Sequence, residues 1–153
     1  MTNPIEIIKR DHRNVERLFK DYEELGDRAV ETKRKVVDKI IAALELHTEM
    51  EEVHFYPKMK KTFSKEGDKM VEEAYAEHQV AKQLLEELGA LDPEDPQFDA
   101  KVKVLQENIA HHVKEEEEEL LPKAEKEMKE EELHIIGEEM KAFKLEYQDE
   151  ENL

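Results

Sequence analysis

His47 and Glu51 stand four residues apart, as do His112 and Glu116, and a proline follows each glutamate by six residues (Pro57 and Pro122). A lone histidine lies upstream of each pair: His12 comes 35 residues before His47, and His78 comes 34 before His112. On a helix, residues i and i+4 share a face, so each pair can grip one cation from the same side. Four imidazoles and two carboxylates brought together make a metal site, with donors enough for two ions. Imidazole plus carboxylate, with no cysteine in the chain, suits iron, manganese or zinc; calcium and magnesium favour all-oxygen shells. Glu51 and Glu116 are the side chains of this set that could bridge two metals.

Such a site needs helices to position it, and the apolar pattern supplies them. Asn3-Pro4-Ile5-Glu6 is a helix start with an Asn cap, and the stripe Ile8, His12, Val15, Phe19, Tyr22 runs toward Leu25-Gly26. A second stripe carries Val37, Ile40, Leu44, His47, Glu51 and Phe55 and is expected to stop at Tyr56-Pro57. Asp68 is the expected cap of a third, with Val71, Ala74, His78, Ala81, Leu85 and Leu88 up to Gly89. Asp95-Pro96 opens a fourth through Val102, Leu105, Ile109, His112, Glu116 and Leu120, which Pro122 interrupts. A weaker fifth helix is expected from Lys123 to about Tyr147. No period-two alternation marks a strand. The expected fold is therefore all-α, an up-down-up-down four-helix bundle over residues 1–125. A C-terminal helix over 126–148 packs on the bundle or in an interface, and 149–153 form an acidic tail. In that bundle all four histidines lie at one end, at similar depth.

The simplest alternative is a network of His–Glu ion pairs without metal. It accounts for each pair but not for His12 and His78 facing the same region. A buried carboxylate without compensation costs several kcal/mol, so two glutamates on apolar stripes call for partners. His111/Glu115 is a competing register at the second pair. Pro122, Leu105 and Ile109 favour His112/Glu116 and leave His111 at the flank or behind the ligands. His54 reads as a surface or capping residue, and His134 has no carboxylate on a matching stripe. Glu115 to Glu119 reads mostly as solvated helix face, and Asp11 and Glu77 point off-stripe, as hydrogen-bond acceptors at most. Tyr22 and Tyr75 could donate protons but read as core packing.

Acidic residues outnumber basic ones by 41 to 24, a net charge of −17, which argues against nucleic acid and anionic membranes as partners. No run of apolar residues is long enough to span a membrane and no signal peptide is visible, so a cytoplasmic location is expected.

With these residues in hand, the chain resembles the hemerythrin superfamily, in particular the bacterial-type hemerythrin HHE cation-binding domain. The resemblance rests on Asp11-His12, on His47-x-x-x-Glu51 with Phe55-Tyr56-Pro57, on Glu77-His78, and on His112-x-x-x-Glu116 with Leu120-Leu121-Pro122. It covers about residues 1–125. It implies a non-haem di-iron centre, two iron ions joined by carboxylates and an oxo or hydroxo bridge, with zinc or manganese as alternatives. Its metal ligands are then His12, His47, Glu51, His78, His112 and Glu116. Oxygen-carrying members have two histidines four apart in the third helix; here Ala74 and Lys82 flank His78 at that spacing. The absent fifth histidine implies a more symmetric site and argues against reversible oxygen carriage. The expected function is a di-metal protein, monomeric or homodimeric, that binds, senses or handles dioxygen, nitric oxide or iron. A peroxidase- or catalase-like enzyme acting on peroxide, or an iron storage or transfer module, is the alternative.

Overall fold

The computed structural model describes residues 2–26 and 29–151, the last three by backbone alone. Its helices are α1 (Pro4–Glu23), α2 (Val30–Met50), α3 (Tyr56–Thr62), α4 (Lys65–Ala90), α5 (Pro96–Glu115), α6 (Leu121–Glu127) and α7 (Glu130–Glu151). Two π-helical turns, Glu51–Phe55 and Glu116–Leu120, join α2 to α3 and α5 to α6 without a break. Four rods result: α1, α2–α3, α4 and α5–α6, packed as an up-down-up-down bundle, with α7 laid against α1, α2 and the first π turn. No described helix is long and apolar enough to cross a membrane.

The starts follow local chemistry. Asn3 accepts a hydrogen bond from the Ile5 N–H (2.9 Å) ahead of Pro4, and Asp95 accepts from the Gln97 N–H (2.8 Å) ahead of Pro96. The third long helix begins earlier than expected: Ser64, not Asp68, is its cap residue. The fifth helix is displaced in the opposite sense. Lys123, its expected start, lies within α6; an extended Met128 breaks the chain after Glu127, and α7 then runs from Glu130 to Glu151, past the expected end at Tyr147. Residues 152 and 153 of the expected tail lie outside the described residues.

The prolines do not end the second and fourth rods. A proline inside a helix has no N–H and its ring collides with the carbonyl four residues back. The chain relieves this by widening one turn, so the Tyr56 N–H bonds to the Glu51 carbonyl and the Leu121 N–H to that of Glu116. Each rod then continues for another seven-residue helix, α3 and α6. This moves the histidines from the expected end of the bundle to its middle. One apolar cluster holds Ile8, Met50, Phe55, Ala74, Leu120 and α7's Leu133, Ile136 and Met140; another holds Val15, Leu44, Ala81, Ile109 and Phe98. His12, His47, His78 and His112 lie between the two on their respective rods. Gly137 lets α7 approach the N-terminal segment, where a Cβ would stand 2.9 Å from the Thr2 carbonyl oxygen.

Candidate metal centre

The six residues singled out from the sequence converge in this middle layer, and all are buried. His12, His47, Glu51 and Glu116 form one group of donor atoms, and Glu51, His78 and His112 form a second; Glu51 belongs to both. His47 Nε2 lies 3.1 Å from Glu51 Oε1, and His78 Nε2 3.2 Å from the same oxygen. His12 Nε2 lies 3.0 Å from Glu116 Oε1, and His112 Nε2 3.2 Å from Glu116 Oε2. Donors at right angles around one cation, with bonds of about 2.1 Å, stand about 3 Å apart, which is the spacing found.

Close approach here is not the same as hydrogen bonding. His12 Nε2, His47 Nε2, both oxygens of Glu51 and Glu116 Oε1 are buried with no hydrogen-bond partner. Native interiors rarely leave such atoms unsatisfied. Lone pairs aimed at a common space are what cations need, so the donor set fits a pair of metal ions.

The other nitrogen of every imidazole is occupied. His47 Nδ1 meets Asp11 (2.8 Å), His112 Nδ1 meets Glu77 (2.8 Å), His78 Nδ1 meets Glu52 (3.0 Å) and His12 Nδ1 meets Glu117 (2.6 Å). A carboxylate accepting from Nδ1–H fixes both the tautomer and the ring, leaving Nε2 free to face inward. The arrangement follows the repeat. The residue before each lone histidine serves the paired histidine of its own half, and the residue after each glutamate serves the lone histidine of the other half. Each carboxylate meets a cation or imidazole in turn: Lys144 at Asp11, Lys82 at Glu52 (2.8 Å), Arg13 at Glu117 and His111 at Glu77 (3.6 Å). Glu52 and Glu117 were not anticipated; their signal is adjacency to a glutamate on the stripe, which composition hides in an acidic chain.

Without metal, protons balance this charge. Burial pulls the His47 imidazole down, but the Glu51 and Asp11 carboxylates override it and hold it up to about 10. His112 is likewise raised well above its ordinary value, against burial, by Glu116, Glu51 and Glu77. Burial would raise Glu51, yet the surrounding imidazoles keep it well below the usual carboxyl range.

Tyr56 breaks the expected symmetry. Its hydroxyl donates to Glu116 Oε2 (2.6 Å) and sits 3.2 Å from His78 Nε2 and 3.4 Å from His112 Nε2, fully buried. Burial, Glu116 and Glu51 keep it a neutral phenol. On an ideal helix residues five apart point about 140° away from each other; the π turn brings Glu51 and Tyr56 to the same side. The counterpart of Tyr56 in the other half is Leu121. Tyr22 lies elsewhere, donating to Asp99 near Lys33, roughly 15 Å along α1 from His12. Tyr75 packs on the Tyr56 ring, 5.2 Å between centroids. His54 packs edge-on against Phe143 of α7 (5.2 Å) with Glu139 at 3.6 Å, and His134 is on α7 away from the centre.

A helical bundle with clustered histidine and glutamate donors at its middle defines a cation-binding protein. The chain belongs to the hemerythrin family: residues 3–124 match the model of the hemerythrin HHE cation binding domain, and α7 lies beyond the match. It is 29% identical over 138 residues to an uncharacterized hemerythrin-like protein of Schizosaccharomyces pombe, covering 90% of this chain and 67% of that protein. It is 32% identical over 112 residues to a DNA nickase of a Nostoc species; the match covers 73% of this chain but only 30% of the nickase. Among solved structures, a hemerythrin HHE cation binding domain-containing protein from Mycobacterium kansasii superimposes with a TM-score of 0.83. The identity is 22%, over 98% of this chain and 90% of that one, a likeness of fold.

Proposed function

We propose that His12, His47, Glu51 and Glu116 hold one iron ion, that His78, His112 and Glu51 hold a second, and that the pair serves to bind or handle a small molecule such as dioxygen or nitric oxide. Glu51 carries the reading: it is fully buried, its two oxygens have no hydrogen-bond donor, and it is shared by both donor groups. Imidazole and carboxylate donors without thiolate suit iron, manganese or zinc, and the resemblance to hemerythrins selects iron among them. Bound iron would supply a redox-active Lewis acid with coordination positions left to solvent.

The chain's own residues do the positioning. Asp11, Glu52, Glu77 and Glu117 lock the rings, and Tyr56 holds its proton beside Glu116. Between the histidines and the second apolar cluster lies a cavity walled by Val15, Leu44, Ala81, Ile109 and Val113, with ≈ 10 Å³ of space for the centre of a water-sized molecule. That is room for about one small neutral ligand and too little for an organic substrate. Residues 1–125 carry every donor, and 126–148 cover the Asp11 side. A second reading, peroxide chemistry, draws on Tyr56 as a proton-bearing group at the centre. DNA nicking is left to the nickase, since a net charge of −17 opposes a phosphate backbone.

The test is metal analysis with optical spectra of protein reconstituted with ferrous iron under nitrogen, then exposed separately to oxygen, nitric oxide and peroxide. Two irons per chain and a spectrum that responds to oxygen or nitric oxide are expected. One zinc per chain with no uptake of iron would refute the proposal, and rapid peroxide disproportionation would favour the enzyme.

A further inference from the structure

The two halves of the chain match at the centre and differ on their outer faces. In the first half Asp11 is held by the Lys144 ammonium from α7, and the next two positions of the repeat are the apolar Leu46 and Met50. The repeat places Glu77, His111 and Glu115 at the corresponding positions of the second half. No described helix covers this face: the His111 side chain is 65% exposed.

His111-x-x-x-Glu115 repeats the His/Glu spacing, and neither residue is among the six donors of the centre. Glu77 gives one oxygen to His112 Nδ1 (2.8 Å) and turns the other toward His111 Nε2 (3.6 Å), which also meets Glu115 Oε1 at 3.1 Å. Ligand atoms of the three residues lie within 4.8 Å of one another. A solvated face accounts for polar side chains here; the imidazole and both carboxylates in addition turn toward one point. Next to them a cleft runs inward, with Glu73 and Glu119 exposed at its rim and His112 and Glu116 buried at its floor. That floor belongs to the centre: Glu116 is 2% exposed, its Oε2 lies 3.2 Å from His112 Nε2, and its unpartnered Oε1 lies 3.0 Å from His12 Nε2.

We infer that His111, Glu77 and Glu115 form a surface docking site for a divalent transition-metal cation, from which the ion passes down the cleft to His112 and Glu116. This rests on the centre being a metal site and adds the route by which it fills. Three protein donors leave the rest of the coordination shell to water, so the ion is exchangeable, and the imidazole selects transition metals over calcium and magnesium. The acidic rim concentrates cations at the mouth, and the first half has no such entrance because Lys144 already fills the equivalent place.

The test compares the full chain with the single variant Glu115→Ala; Glu77 is left alone because it holds His112, and His111 because it meets Glu77. Iron-loaded protein is dialysed against Zn²⁺, and zinc and iron are counted separately. Wild type is expected to hold one more zinc per chain than the variant at equal iron; equal zinc would overturn the site. Metal-free protein is then given ferrous iron anaerobically, and uptake into a chelator-resistant form is timed. The variant should fill more slowly, on the order of tenfold, the low end of electrostatic focusing at a charged cleft, and reach the same final iron content. An unchanged rate would overturn delivery, and a lower final content would overturn the separation of the two sites. If neither protein retains chelator-resistant iron, the centre itself is misread, while the zinc difference still reports on the surface site.

Discussion

Replacing Asp11 with asparagine keeps the side chain's size and removes the charge that orients His47. Asp11 Oδ2 accepts from His47 Nδ1 at 2.8 Å, is largely buried, and is itself pinned by Lys144. Loss of such an acceptor behind a metal-bound histidine weakens metal binding roughly 10–100-fold, or about 1.4–2.7 kcal/mol. Metal held only by the folded chain stabilises it, so the loss appears in melting temperature at fixed free metal. For a chain of this size each kcal/mol moves Tm by about 2–4 °C, which makes the loaded variant's deficit roughly 3–11 °C. The substitution also weakens an ion pair present without metal. The quantity to compare is therefore Tm with metal minus Tm without, measured in each protein, together with affinity from chelator competition. Lys144→Met should move both in the same direction by less, since it acts through Asp11. Unchanged affinity and an unchanged difference in Tm for Asp11→Asn would mean that His47 does not hold metal.

Tyr56→Phe removes the hydroxyl beside His78 and His112 while keeping the ring, so the bundle should stay folded at a cost of about 1–3 kcal/mol for the lost buried hydrogen bond. Chelator titration should then strip the ion at His78 and His112 first; equal weakening of both positions would contradict the asymmetry. Metal loading at neutral pH must displace protons, because His47 is held up to about 10 and His112 is raised as well. The sign follows from the raised values: imidazolium stabilises the metal-free fold fully below about 6.5, and that contribution fades as pH rises through about 10, while metal affinity climbs over the same window. A pH indicator that registers no proton release on loading would contradict it. At the other end of the bundle, Tyr22 and Lys33 keep the Asp99 carboxyl below its ordinary value. Its contribution is present above about pH 4 and lost as pH falls. Asp99→Asn should melt slightly lower than wild type at pH 7, by under about 1 kcal/mol for so exposed a pair, and the two should converge in acid; a gap that persists at pH 2 would refute the pairing.

Much of this was legible because the donors lie on helical stripes. The apolar neighbours Leu105 and Ile109 place His112 inward and His111 outward, and the structure arranges them so. What the sequence hides depends on backbone geometry that pattern does not carry. Pro57 and Pro122 signal an obstacle to the ordinary helical hydrogen bond, and a stop and a widened turn are both solutions. The tertiary core around and beyond them, Met59, Leu121 and Ala124, selects the widened turn. That choice in turn aims Tyr56 at the centre, where stripe counting had assigned it to a helix end. Asp11 and Glu77 look off-stripe because they reach sideways to the next rod. Glu52 and Glu117 do the same from within acidic runs where no single glutamate stands out.

The most direct measurement is an anomalous-difference map at the iron edge from crystals of the iron-loaded chain. Two peaks are expected, one among His12, His47, Glu51 and Glu116 and the other among His78, His112 and Glu51, with Glu51 between them. A single peak, or no peak in this layer while iron analysis shows the chain loaded, would contradict a di-metal centre bridged by Glu51.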